Sequence, residues 1–313
     1  MTFPASLAAA LALAVGFAVV AVVPAVLGAR LEDPAPPGAG RWRRAGMAPW
    51  VRVARALGQR RAPTLAADRL LGAAAVVALP VVALLMVALL PLAGFRLADS
   101  AVGLVWFNAL DVLVWALFWL IGWGPNSVYP LIGGYRFLAQ AMSYELPLMF
   151  AITTPAVAAH SLRFADIVAA QHGLWFVVWM PVAFVVFCLG VVGFSLLPPL
   201  NHPAGVDIAG GVGGELTGLA RLSVSAGRYL LLTAGSATAA TMFLGGGAGP
   251  LLPAAVWLVV KTLAVACALV AVRTVVPTIR ADRFVEVGWL VLIPATLLQL
   301  LLVSVLVGMG VLP

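Results

Sequence analysis

Charge is what this 313-residue sequence has least of. Asp, Glu, Lys and Arg make up 9% of it, against 64% hydrophobic residues, and its mean hydropathy is +1.11. A soluble globular domain carries roughly a quarter charged residues, so this chain cannot surround itself with a water-facing surface. That excludes the pair of soluble domains that length alone would suggest and leaves one membrane bundle. Cysteine is nearly absent. Cys188 and Cys267 both lie in apolar runs, which argues against a disulfide framework and for core packing. His160, His172 and His202 are scattered near loops, which argues against a metal site and a haem-ligating pair. No catalytic triad, phosphate-cradling loop or internal repeat is present, and the missing repeat disfavours an inverted-repeat transporter. The net charge of +7 does not point to nucleic acid. No aromatic-interleaved basic patch exists, and the arginines sit between apolar runs.

What the sequence has is apolar runs. A membrane-crossing helix needs about 20 residues, and eight stretches qualify: roughly 4–28, 70–93, 101–123, 142–160, 174–197, 228–246, 251–275 and 286–310. The first lacks a basic start and is too long for a signal peptide. The fold expected is an all-α polytopic membrane protein, residues 1–313 forming a single membrane domain. Arginines set its orientation. Fifteen lie on one set of connections, from Arg30 and the 41–69 cluster to Arg136, Arg221, Arg228, Arg273, Arg280 and Arg283, and only Arg96 and Arg163 on the other. The positive-inside rule then places the loops 29–69 and 198–227 in the cytoplasm and both termini on the opposite side, in a cell (inner) membrane.

Two loops stand out. "EDPAPPGAGRWRRAG" (32–46) reads as irregular. The following "MAPWVRVARALGQR" puts Trp50, Val53 and Leu57 on one helical face, an interfacial amphipathic helix. The loop 198–227 is rich in Gly and Pro and carries Asp207 and Glu215, and "SLRFADIVAAQHG", between the fourth and fifth runs, reads as a short surface helix.

A charge inside a span costs at least ~2.5–3.5 kcal/mol on insertion scales, so three residues call for a reason: Asp111, Glu145 and Lys261. Glu145 follows Arg136, Gln140 and Ser143, which lie along one helical side. Lys261 is expected to face protein or water. For Asp111 a bond to a neighbouring helix is as good an account as any functional one.

The run "WGPNSVYPLIGGYRFLAQAMSYELPL" resembles the R-x₃-Q-x₂-SYE segment of the H subunit of respiratory complex I, the NADH:quinone oxidoreductase. "APTLAADRLL", "DSAVGLVWF", "FADIVAAQ" and the whole stretch 241–302, with Lys261, Arg273, Arg280, Asp282 and Trp289, resemble it in the same order. The resemblance implies a membrane subunit that forms the quinone-access cavity, links electron transfer to proton translocation and binds no cofactor itself. Quinone would be the substrate of the complex. Its partners would be other membrane subunits, the peripheral iron–sulfur and quinone-reactive subunits, and lipid. The residues implied for the cavity or charge path are Arg30, Arg136, Gln140, Ser143, Tyr144, Glu145, Asp207, Glu215, Lys261, Arg273 and Asp282.

The sequence departs from that family in one chemical direction. Pro199 stands for a glutamate, His202 for an arginine and Ala169 for an acid. The run 209–214 holds no acid, and Ala234-Gly235-Ser236 replaces an A-E-Y run. The apolar scaffold is kept while carboxylates are lost, which fits a divergent paralogue. Two alternatives follow: the membrane subunit of an energy-converting hydrogenase, or a scaffold that has lost coupling.

Overall fold

The computed structural model describes residues 3–32, 39–60, 64–91 and 98–310. Arg61 and Arg96, used above for orientation, lie outside them, as do residues 33–38 of the first loop. The described chain is helical throughout: α1 (Phe3–Glu32), α2 (Ala39–Gly58), α3 (Arg69–Ala88), α4 (Gly103–Trp123), α5 (Val128–Ala159), α6 (Phe164–Ala169), α7 (Phe176–Trp179), α8 (Pro181–Phe194), α9 (Gly218–Phe243), α10 (Ala254–Ala271), α11 (Ala281–Val287) and α12 (Ile293–Gly308). A π-turn over Gly288–Leu292 joins the last two. Five helical stretches are long and apolar enough to cross a membrane by length and composition: Ala8–Glu32, Arg69–Ala88, Gly103–Trp123, Ala254–Thr274 and Ala281–Gly308. The protein is an all-α polytopic membrane protein.

Helix α9 is the centre. It is buried on every side from Tyr229 to Phe243, and α1, α3, α8 and α10 pack around it. Its buried hydroxyls need no outside partner. Thr233, Ser236, Thr238 and Thr241 each donate to the carbonyl four residues earlier, at 2.7–2.9 Å, which satisfies them within the helix. Helix α3 is started by Asp68, whose carboxylate accepts the Leu70 and Leu71 N–H groups at 3.1 and 3.0 Å, a side-chain N-cap. Its buried residues Ala75, Leu79, Ala83 and Met86 recur at helical spacing and meet α9. Helix α5 packs against α4, α8, α11 and α12. Outward-facing leucines and valines such as Val15, Val19, Leu290, Leu298 and Leu301 stay exposed, as lipid-facing side chains do.

One sequence reading changes. Residues 39–46, expected to be irregular, are the first turns of α2. The amphipathic helix is present, and Trp50 and Leu57 are 64% and 67% exposed, so its apolar face is turned away from the bundle, as an interfacial helix requires. The short surface helix appears as α6.

Pro147 lies inside α5. It has no N–H, so the Ser143 carbonyl loses its usual i+4 partner. Gly288, opening the π-turn, lies against that carbonyl: a Cβ at 288 would meet the Ser143 oxygen at 2.6 Å. A glycine is what permits the approach.

Candidate functional site

The residues singled out from the sequence fall into five separate places. The first is at the start of α5. Arg136 Nη1 donates to Asp207 Oδ2 at 2.6 Å and lies 3.4 Å from His202 Nε2. The Ala281 N–H reaches His202 Nδ1 at 3.4 Å. A neutral imidazole has one acceptor nitrogen, so His202 serves only one of these two donors at a time. The hydrogen bond from Arg136 holds the Asp207 carboxyl below the usual carboxylate range. Partial burial, and then the Arg136 charge, push His202 down. One turn further, buried Gln140 donates from Nε2 to the Leu200 carbonyl at 3.0 Å and the Gly193 carbonyl at 3.4 Å. Gln140 thus ties the loop after α8 to α5. Ser143 donates to Ala139 within its own helix at 2.8 Å. Asp282 pairs with Arg280 at 3.2 Å, both exposed, in the first turn of α11.

The second place is the interface of α4 and α5. Leu104, Phe107, Asp111, Val114, Phe118 and Ile121 form the buried stripe of α4, so Asp111 occupies a position meant for hydrocarbon. It is 0% exposed, and Glu145 is 6% exposed. Glu145 faces Asp111 and Asn108, and Tyr144 faces Trp115, their rings edge to face at 6.5 Å. Neither Arg136 nor any other cation is among the groups acting on Glu145. Arg136 is nine residues away, about 13 Å along the helix. Sequence reasoning did not see Asn108 and Trp115. Their spacing with Asp111, i, i+3 and i+7, was the available signal: it puts all three on one face of α4.

Third, Glu32 at the end of α1 accepts from Arg273 at 2.9 Å and lies 4.0 Å from Arg52. This joins the ends of α1, α2 and α10; Arg30 is in the same last turn of α1. Fourth, Lys261 stands alone. Its ammonium donates to the carbonyls of Leu244, Gly246 and Ala248 at 2.5, 3.1 and 2.7 Å and lies 4.2 Å from the centroid of the Trp175 ring. It is 6% exposed and faces protein. Gln171 holds the same loop, accepting the Gly245 N–H at 2.8 Å and donating to the Thr241 carbonyl at 3.1 Å.

A cavity of about 700 Å³ opens between α3, the end of α4 and the start of α9. Thr64, Asp68, Arg69 and Glu215 give it a polar part, and Ala73, Val76, Val77 and Ile121 apolar walls. Of the residues named from the sequence only Glu215 lines it; its carboxylate accepts from Ser127 at 3.1 Å. Among the described residues no group of three His, Cys, Asp or Glu side chains is placed to hold a metal.

Two glycines of the runs noted above are tightly packed. A Cβ at Gly235 would stand 2.6–2.8 Å from Val191 and Phe194, so hydrophobic side chains fill the space a larger side chain would need. At Gly211, with φ +48°, a Cβ would collide with the Pro203 carbonyl oxygen, so this turn is built for glycine.

A family profile described as NADH dehydrogenase matches residues 5–304. One of the numbered H subunits of NADH-quinone oxidoreductase in Geobacter sulfurreducens, the second, is 39% identical over 208 residues, covering 66% of this chain and 63% of that protein. The H subunit of the Geobacillus kaustophilus enzyme is 35% identical over 217 residues, 67% of this chain and 65% of that one. The second H subunit of Rhodopseudomonas palustris is 33% identical over 247 residues, 79% and 74%. The match to the first of these thus spans a little under two thirds of the relative. With the profile running through nearly every helix described above, the chain belongs to the NADH dehydrogenase family.

Proposed function

We propose that this protein is a membrane subunit of a complex I-like NADH-quinone oxidoreductase, forming the quinone-access cavity and linking electron transfer to proton translocation. It lies in the cell membrane with its basic loops in the cytoplasm and both termini outside. It carries no electron itself. A partner's iron–sulfur cluster reduces the quinone, and this chain supplies the chamber, the docking face and charged groups. The observation that carries the reading is the family match over residues 5–304, which includes Arg136, Gln140 and Glu145 on one continuous helix. The cavity supports it. About 700 Å³ with a polar part and apolar walls lies within the ~300–1,000 Å³ typical of small-molecule sites and suits an amphipathic quinone. The names of the relatives favour this over a hydrogenase subunit.

Purification of the tagged chain from its native membrane tests the reading. Co-purification of iron–sulfur and quinone-reactive subunits, with quinone-dependent turnover, is expected. Nickel–iron subunits would assign it to a hydrogenase-type assembly. In the purified complex Glu145→Gln should assemble and turn over several-fold more slowly; turnover equal to the parent would remove Glu145 from the charge path.

A further inference from the structure

Seven buried side-chain atoms without a hydrogen-bond partner gather at one place. They are Asn108 Oδ1, both oxygens of Asp111, Trp115 Nε1, Tyr144 Oη and both oxygens of Glu145. Tyr144 is 1% exposed, and the same pair of carboxyls acts on its hydroxyl. Orphaned polar atoms are rare in native interiors, and each is costly if left unpaired. So many at one spot mark a site whose occupant has yet to be counted.

The occupant can be identified by what surrounds it. Two carboxylates are acceptors only and cannot hydrogen-bond to each other; one proton between them turns repulsion into a bond. Among the described residues no cation acts on either carboxyl. On α5, Arg136 is committed to Asp207. On α9, Arg228 is committed to the Ser195 and Leu196 carbonyls. On α11, Arg283 pairs with Glu286 and Asp282 with Arg280. The other titratable group beside them is Tyr144. A divalent metal is disfavoured because no third His, Cys, Asp or Glu joins the pair among the described residues.

We propose that Asp111 and Glu145 share a single proton inside the membrane. Asn108, Trp115 and Tyr144 complete its hydrogen bonding, directly or through an ordered water. The proton moves from an oxygen of one carboxyl to a lone pair of the other, and the pair keeps one negative charge. Asp111 is a member of this site and not a mere helix-to-helix contact. The functional use of the pair rests on the charge-path reading of Glu145; the shared proton does not.

The test is infrared spectroscopy of the full-length chain in lipid nanodiscs at neutral pH. The wild type should show a protonated-carboxyl C=O stretch, equivalent to one group per chain, that moves to lower frequency in D₂O. Asp111→Asn and Glu145→Gln should each shift the band, and the double variant should lose it. A wild type without the band overturns the proposal whether or not any variant folds. So does a band that survives in the double variant, or one that appears only after sodium and potassium are removed, which would assign the site to an alkali cation. Turnover separates the two readings. Normal quinone-linked turnover in Glu145→Gln, with the wild-type band present, sinks the charge path and leaves the shared proton. An absent band sinks the shared proton whatever the turnover.

Discussion

Arg136 on α5 and Asp207 in the loop after α8 meet at 2.6 Å, and His202 stands beside them at 3.4 Å from the same arginine nitrogen. This small cluster is expected to make the loop respond to pH. Both Asp207 and His202 are held below their ordinary values. Each therefore contributes stability that is full above its unfolded value and lost as pH falls through the folded one.

Limited proteolysis of residues 198–217 should accordingly rise in two steps: below about pH 6.5 as His202 is forced to charge, and again below about pH 4 as Asp207 protonates. In His202→Gln the first step should vanish and the second remain. Asp207→Asn should leave the first step and remove the second. Because the pair is half exposed at Asp207, added salt should weaken its hold. A single acid step in the wild type would show that His202 does not report on the loop.

Lys261 should behave as a structural cation. Lys261→Met removes three donors and leaves the carbonyls of Leu244, Gly246 and Ala248 unmatched. The expected cost is about 3 kcal/mol, the scale of charged hydrogen bonds. It should be read as a lower melting temperature in detergent and faster labelling of a cysteine placed at position 248. Unchanged labelling would mean that Gln171 alone holds the loop.

Filling the cavity tests its use. Ala220 lines it, and Ala220→Phe should raise the quinone KM of the purified complex several-fold while leaving the yield of assembled complex near that of the parent. Equal KM values would remove this cavity from the quinone route.

The five helical stretches long and apolar enough to cross a membrane were legible because membrane burial is written directly as apolar runs. The starts of α5 and α9 were not. The stretch expected at 142–160 is the apolar end of a helix that begins at Val128, and the one at 228–246 belongs to a helix beginning at Gly218. Tyr135, Arg136, Gln140, Arg221 and Arg228 interrupt the hydropathy there without interrupting the helix, since apolarity marks lipid and not backbone geometry. In the site, Glu145 was legible as a charge out of place. Its neighbour Asp111 was visible only as a second anomaly, because the rotation that brings α4 and α5 face to face depends on packing across both helices. The carbonyls around Lys261 belong to backbone, which carries no residue-type signal.

A glutamate at position 235 should not be accommodated. Gly235→Glu forces a side chain into space held by Val191 and Phe194, and Gly235→Ala already overpacks it, at a cost of about 1–3 kcal/mol. Both variants should give less monodisperse protein on size exclusion, the glutamate more severely. A well-folded Gly235→Glu would show that α8 and α9 can part at this point.

The Gly235 contact also sets how α8 and α9 can be varied together. Val191 and Phe194 leave no room for a side chain at 235, so a larger residue there requires at least one of them to shrink before or together with it. Each change made alone carries either a void or a clash. The three positions form one unit of substitution.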